Sequence, residues 1–139
     1  MGSAAVAQLN RLVVLQKRAI RILSGSQCLA HSSPLFANLK LLKLVDINKY
    51  LILLFLFKHK HFILPAVCMH LVRISDTVCS HNTCTYSYFS YSTCRTIRQE
   101  LDIGHRGPVI WNTLPATITQ LSYITAFKKS LLVHFFSKY

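Results

Sequence analysis

The sequence predicts a small, mainly α-helical fold with an irregular middle, about residues 75–107, that admits a β-hairpin. Three observations carry this prediction. Residues 4–23, 46–58 and 122–139 hold apolar side chains at helical spacing with no internal Gly or Pro. Between Ser75 and Glu100 the composition shifts to Ser, Thr, Tyr, Asn and Cys, with Tyr86 and Tyr88 alternating with Ser as a short strand would. The chain has 139 residues, 52% of them hydrophobic, which suits one domain, 1–139, with a core of its own.

At about 100° per residue, Leu9, Leu12, Val13, Ala19, Ile20 and Leu23 share one face of the first helix. Arg11, Lys17, Arg18 and Arg21 share the other. Ser24-Gly25-Ser26 stops the helix. A loop over 25–33 follows, and Pro34 suits the first turn of a short helix through Leu39. Leu39, Leu41, Leu42 and Leu44 make a greasy connector, and Asp46 is the expected N-cap of a helix from Ile47 to about Lys58. That helix is apolar nearly all round from Tyr50 to Phe57, so it is expected at the centre of the core. Pro65 punctuates, and a weaker helical patch runs from Ala66 to about Ile74. Gly104, Gly107 and Pro108 read as the end of the irregular middle. Gly107 to Pro115 then reads as a rigid turn that sets Trp111 and Leu114 into the core. Ser122 is the expected cap of the last helix, where Ile124, Phe127, Leu131 and Phe135 form one stripe beside Lys128, Lys129 and Lys138. Trp111, Leu114, Phe127 and Leu131 are therefore the predicted core.

Charge bounds the function. Sixteen Lys and Arg stand against four acids, Asp46, Asp76, Glu100 and Asp102, a net charge of +12. The cations cannot all be paired within the chain. A one-sided basic helix face gains nothing from internal ion pairs, and the resulting field favours polyanions, nucleic acid first and an anionic membrane surface second. The N-terminus lacks the basic region of a secretion signal, and the longest apolar run, Tyr50 to Phe57, is far short of the ~20 residues a membrane span needs. An intracellular protein, in cytoplasm or nucleus, is the expectation.

Catalytic and metal chemistry find little support. Cys68, His70, Cys79, His81, Cys84 and Cys94 supply soft ligands, but only Cys79 and Cys84 are spaced as a zinc pair. No metal and no cofactor is expected. Two-metal chemistry needs clustered carboxylates, and a phosphate loop needs a Gly-rich run; neither occurs. Tyr86, Tyr88, Phe89 and Tyr91 lie near Arg95 and Arg98. They suit either a half-buried strand or a platform on which single-stranded bases stack.

The order of the pieces resembles the region downstream of the polymerase domain in jockey-like and related non-LTR retrotransposon reverse transcriptases. The elements that carry the resemblance run in the same order: Leu15-Gln16-Lys17-Arg18-Ala19-Ile20-Arg21-Ile22-Leu23-Ser24-Gly25, Pro34-Leu35-Phe36, Asp46-Ile47-Asn48-Lys49-Tyr50 and Leu64-Pro65. His81-Asn82-Thr83, Cys94-Arg95-Thr96-Ile97-Arg98, Gly107 to Pro115 and Phe127-Lys128-Lys129-Ser130-Leu131 follow. Cys84 departs from the family pattern, which has Arg there, and the polymerase aspartates and the endonuclease have no counterpart. The resemblance implies a non-catalytic C-terminal remnant that supports binding of template RNA or target DNA, with the rest of a reverse transcriptase as a partner. Arg11, Lys17, Arg18, Arg21, Arg95, Arg98, Lys128 and Lys129 are the candidate contacts, chosen by charge placement. A packing module that covers an adjoining surface, or a translated relic without activity, is the alternative expectation.

Overall fold

A computed structural model describes residues 6–74, 89–90 and 93–139. The described residues are mainly helical, with one two-stranded antiparallel sheet. In chain order they form α1 (Val6–Leu23), α2 (Ser32–Asn38), α3 (Leu44–Lys60), α4 (Ala66–Met69), β1 (Arg73–Ile74), β2 (Phe89–Ser90), α5 (Ile97–Glu100), α6 (Ile103–Asn112), α7 (Ala116–Thr119) and α8 (Ile124–Phe136). Arg73 pairs with Ser90 and Ile74 with Phe89. The predicted strand at Tyr86 and Tyr88, and Cys79, His81 and Cys84, lie outside the described residues.

α3 is the central helix, as its all-round apolarity predicts. It buries Leu53, Leu56 and Phe57 and contacts α1, α6 and α8. Trp111 of α6, with Phe127, Leu131 and Phe135 of α8, completes the core with Val72, Phe89 and Ile118. Its centre is aromatic. Phe127 stacks on Phe57 with ring centroids 4.3 Å apart, and on Trp111 at 5.8 Å. Phe89 meets Trp111 edge-on at 5.3 Å. Such pairs add about 0.5–1.5 kcal/mol each beyond the area they bury. Trp111, Phe127 and Leu131 are thus core residues, while Leu114 sits half-buried against the core's edge.

Several boundaries and faces differ from the sequence expectation, each for a local reason. Asp46 is not the N-cap of α3. The helix starts three residues earlier, with Lys43 at the cap, and Asp46 lies in the first turn. The orphan N–H groups that open a helix need acceptors. Here the Tyr139 hydroxyl accepts from Lys43 N–H at 2.9 Å, and the Gln16 amide oxygen from Leu44 N–H at 2.9 Å. Gln16 also donates to the Leu42 carbonyl at 3.0 Å. This clip turns Leu9, Val13, Gln16 and Ile20 inward. Leu12 and Leu23, expected on the buried face, are 51% and 72% exposed, and Ala19 is exposed too. Tyr123, not Ser122, is the N-cap of α8.

The stretch from Gly107 is also not a turn. It is the second half of α6, with Pro108 inside the helix. Pro in a helix interior costs about 3 kcal/mol or more, because it lacks an N–H and crowds the preceding turn. Packing offsets that cost. The Asp102 carboxylate caps the helix by accepting from Gly104 N–H at 3.2 Å, and Gly107, Pro108 and Trp111 are buried. A Cβ on Gly107 would stand 3.3 Å from the Leu56 methyls, and one on Gly104 would stand 2.7 Å from the Leu71 carbonyl oxygen. The two glycines let α6 approach α3 and the strand that follows Leu71.

The helix ends reuse one closure. After α1, Gly25 has φ +60°, Gly25 N–H donates to Ile22 O and Ser26 N–H to Arg21 O. This is the Schellman pattern. Lys40 (φ 52°) repeats it after α2, with Leu41 N–H on Phe36 O. Phe62 (φ 55°) repeats it after α3, with Ile63 N–H on Lys58 O. A bulky residue is strained there, at about 1–2 kcal/mol relative to its right-handed conformation.

Two substitutions should move stability in opposite directions. Phe62→Gly relieves the left-handed strain at an exposed site and should raise stability by about 1 kcal/mol. Gly104→Ala improves helix propensity, yet should lower stability by about 1–3 kcal/mol through overpacking against a backbone carbonyl. Urea midpoints at unchanged m-value check both.

Candidate nucleic-acid interface

The predicted basic residues divide by what their side chains touch. Arg11, Lys17 and Arg18 of α1, Arg95 before α5, and Lys128 and Lys129 of α8 are exposed. None of the six side chains pairs with a carboxylate among the described residues. Arg98 belongs to α5, and its side chain lies outside the described residues. Arg21 is different. Its Nε–H donates to the Ala30 carbonyl at 3.0 Å and holds the loop between α1 and α2, so fewer of its donors face outward.

The structure separates the α1 cations further. Arg11 and Arg18, one heptad apart, flank a shallow groove with Val14 and Leu15 on the outer side of α1. Lys17 instead lines a groove between α1, α2 and the start of α3, together with Lys43. Lys43 is not among the predicted contacts. Its Nζ donates to Ser33 Oγ at 3.1 Å and lies 4.1 Å above the Tyr139 ring. The sequence carries no local signal for this pairing, because the two lysines stand 26 residues apart and the Gln16 clip helps to bring their helices together.

Other cations serve the fold. Lys60 Nζ donates to the Thr119 carbonyl at 2.7 Å, tying the end of α3 to the end of α7. Burial pushes its ammonium below the usual lysine range. Lys49 lies 3.7 Å from the Asp46 carboxylate.

Two of the acids are committed as well. Asp46 accepts from the Tyr139 hydroxyl at 2.8 Å, and Asp102 caps α6. A cleft beside the β-pair holds Cys94, His70, His105, Arg73 and Asp102. Desolvation first, then the Glu100 and Asp102 charges, hold the Cys94 thiol above its ordinary range, which opposes the thiolate a cysteine nucleophile needs. Among the described residues no three His, Cys, Asp or Glu side chains group so as to hold a metal ion, and no helix is long and apolar enough to cross a membrane. Comparison with protein-family models, curated proteins and solved structures finds no match.

Tyr139 gives the site a pH signature. Burial is the main cause that pushes its phenol up to about 12; Lys43 N–H opposes the shift, and the hydrogen bond to Asp46 and its charge add to it. A phenol whose folded pKa is raised contributes stability that is complete below its unfolded value of about 10. That contribution is lost as pH rises from about 10 through about 12. Phenolate absorbance should therefore show a late step that Tyr139→Phe removes. Burial also raises the Tyr50 phenol, so the wild-type minus variant difference isolates Tyr139. An unchanged titration would show that the Tyr139 latch does not form.

Proposed function

We propose that the chain is a non-catalytic, polyanion-binding helical module that holds nucleic acid through exposed basic side chains. The observation that carries this is the imbalance between cations and acids at the surface. Sixteen cations face four acids in the chain, two of those acids are used to secure α3 and α6, and Arg11, Lys17, Arg18, Arg95, Lys128 and Lys129 are exposed. Phosphate backbones are the ligands such a surface favours, because each contact releases condensed counterions. The commitment of Asp46 and Asp102 to helix starts also supports a module without carboxylate chemistry. The ordered resemblance to the region downstream of the polymerase in non-LTR retrotransposon reverse transcriptases supports RNA or target DNA as the polyanion. In that setting the module steadies nucleic acid beside a polymerase supplied by another part of the protein or another chain.

Affinity for single-stranded RNA should fall linearly with salt on logarithmic axes, each phosphate contact contributing about 0.7 to the slope. Arg11→Gln with Arg18→Gln should weaken binding and flatten that slope by about 1.4. Anisotropy titrations with RNA and duplex DNA at several salt concentrations measure this. An affinity indifferent to salt, or no binding at low salt, removes the phosphate-contact basis of the proposal.

A second function is favoured by one observation. Leu12, Leu15, Ile22 and Leu23 are exposed along α1, which suits a packing module that covers a neighbouring surface. Concentration-dependent self-association of the purified chain without nucleic-acid binding would favour it.

A further inference from the structure

We propose that the groove between α1, α2 and the start of α3 is a binding site for a phosphate monoester, the dianionic end group of a nucleic-acid strand. The strand as bearer rests on the polyanion function above; the phosphate chemistry stands on the groove itself. The groove has a volume of about 240 Å3 and is walled by three elements. Lys17 contributes an ammonium that makes no hydrogen bond or ion pair with any described residue. An ammonium has three donors. Lys43 uses one on Ser33 Oγ and faces the Tyr139 ring, which leaves at least one for a ligand and leaves the Ser33 hydroxyl proton to donate. Ser32 lines the groove at only 8% exposure, and its hydroxyl has no hydrogen-bond partner among the described residues. That hydroxyl is free to donate to a ligand oxygen. His31 adds an imidazole at the rim.

The groove's described lining holds two ammonium groups, two hydroxyls and no carboxylate. Asp46 turns toward Tyr139 and Lys49 instead. Two ammonium groups and two hydroxyls lining one small groove match a group with three free oxygens and two negative charges. An internal phosphodiester has chain on both sides and needs a trough open at each end. A terminal phosphate enters by its end alone. Val13 and the exposed Val45 border the groove, and Phe36 lies beneath it.

The full chain should bind a 5′-phosphorylated single-stranded RNA about tenfold more tightly than the same oligonucleotide with a 5′-hydroxyl, the worth of one charge-assisted hydrogen bond. Lys17→Met with Lys43→Met should abolish that preference. Lys128→Met with Lys129→Met removes the same charge elsewhere, and should weaken both oligonucleotides while keeping their ratio. Lys17→Met alone, at an exposed position, should reduce the preference and covers the case in which Lys43→Met unfolds the start of α3. Equal affinity of the wild type for the two ends, or a preference that survives both Lys17 variants, overturns the groove while salt-dependent binding stands. If neither oligonucleotide binds, the polyanion function fails and inorganic phosphate decides the groove. A rise in melting temperature over chloride at matched ionic strength, lost in Lys17→Met, supports it; no rise overturns it.

Discussion

The fold depends on how closely α6 can lie against α3. Gly107 favours that approach, because a Cβ there would stand 3.3 Å from the Leu56 methyls, closer than ordinary contact. The approach seats Trp111 beside Phe127, which in turn stacks on Phe57. α3, α6 and α8 are thus joined through one aromatic column, and Phe89 closes it from the sheet. A helix with two interior glycines and a proline has poor intrinsic stability. It survives here because its buried face is the one those residues make small, and because Asp102 supplies a cap at its start.

With apolar residues drawn into that column, polar and charged groups divide into two populations. One is structural. Gln16, Tyr139 and Asp46 satisfy the start of α3, His59 holds the Met69 carbonyl from within the core at 2.9 Å, and Lys60 reaches the end of α7. The other is the set of cations left outside. Four acids cannot neutralise sixteen cations, so the fold and the proposed polyanion binding draw on the same scarce resource. Each carboxylate that secures a helix is one that does not quench the surface field. This explains how a chain of ordinary hydrophobic content keeps a strongly positive exterior.

Much of this architecture is legible in the sequence wherever periodicity is strong. The first, central and last long helices follow from apolar spacing, and Phe127 and Leu131 follow from their place on it; Trp111 is legible as a core residue, but from a turn that the structure replaces with α6. The middle is harder because local and tertiary signals conflict. Gly104, Gly107 and Pro108 are breakers by propensity, and packing against Leu56 and Leu71 overrides them. Lys40 and Phe62 end helices in a conformation that glycine would announce, so the endings carry no residue signature. Gln16 was the available clue to the rotation of α1: a polar side chain on an apolar face must find partners, and the backbone around Leu42 and Leu44 supplies them. The groove could not be foreseen, because it joins Lys17 to residues from two later elements. The exposed basic positions, by contrast, follow from charge and helical spacing alone.

We infer that this aromatic column lets the chain fold cooperatively as one unit on which the basic residues are mounted. Trp111 is the chain's one tryptophan and is 3% exposed, so its fluorescence reports directly on the column. Urea unfolding followed by Trp111 emission should start from a blue-shifted, quencher-resistant spectrum and pass through a single cooperative transition that coincides with loss of helical circular dichroism. A red-shifted, readily quenched emission in native buffer, or a gradual drift without a transition, would contradict it.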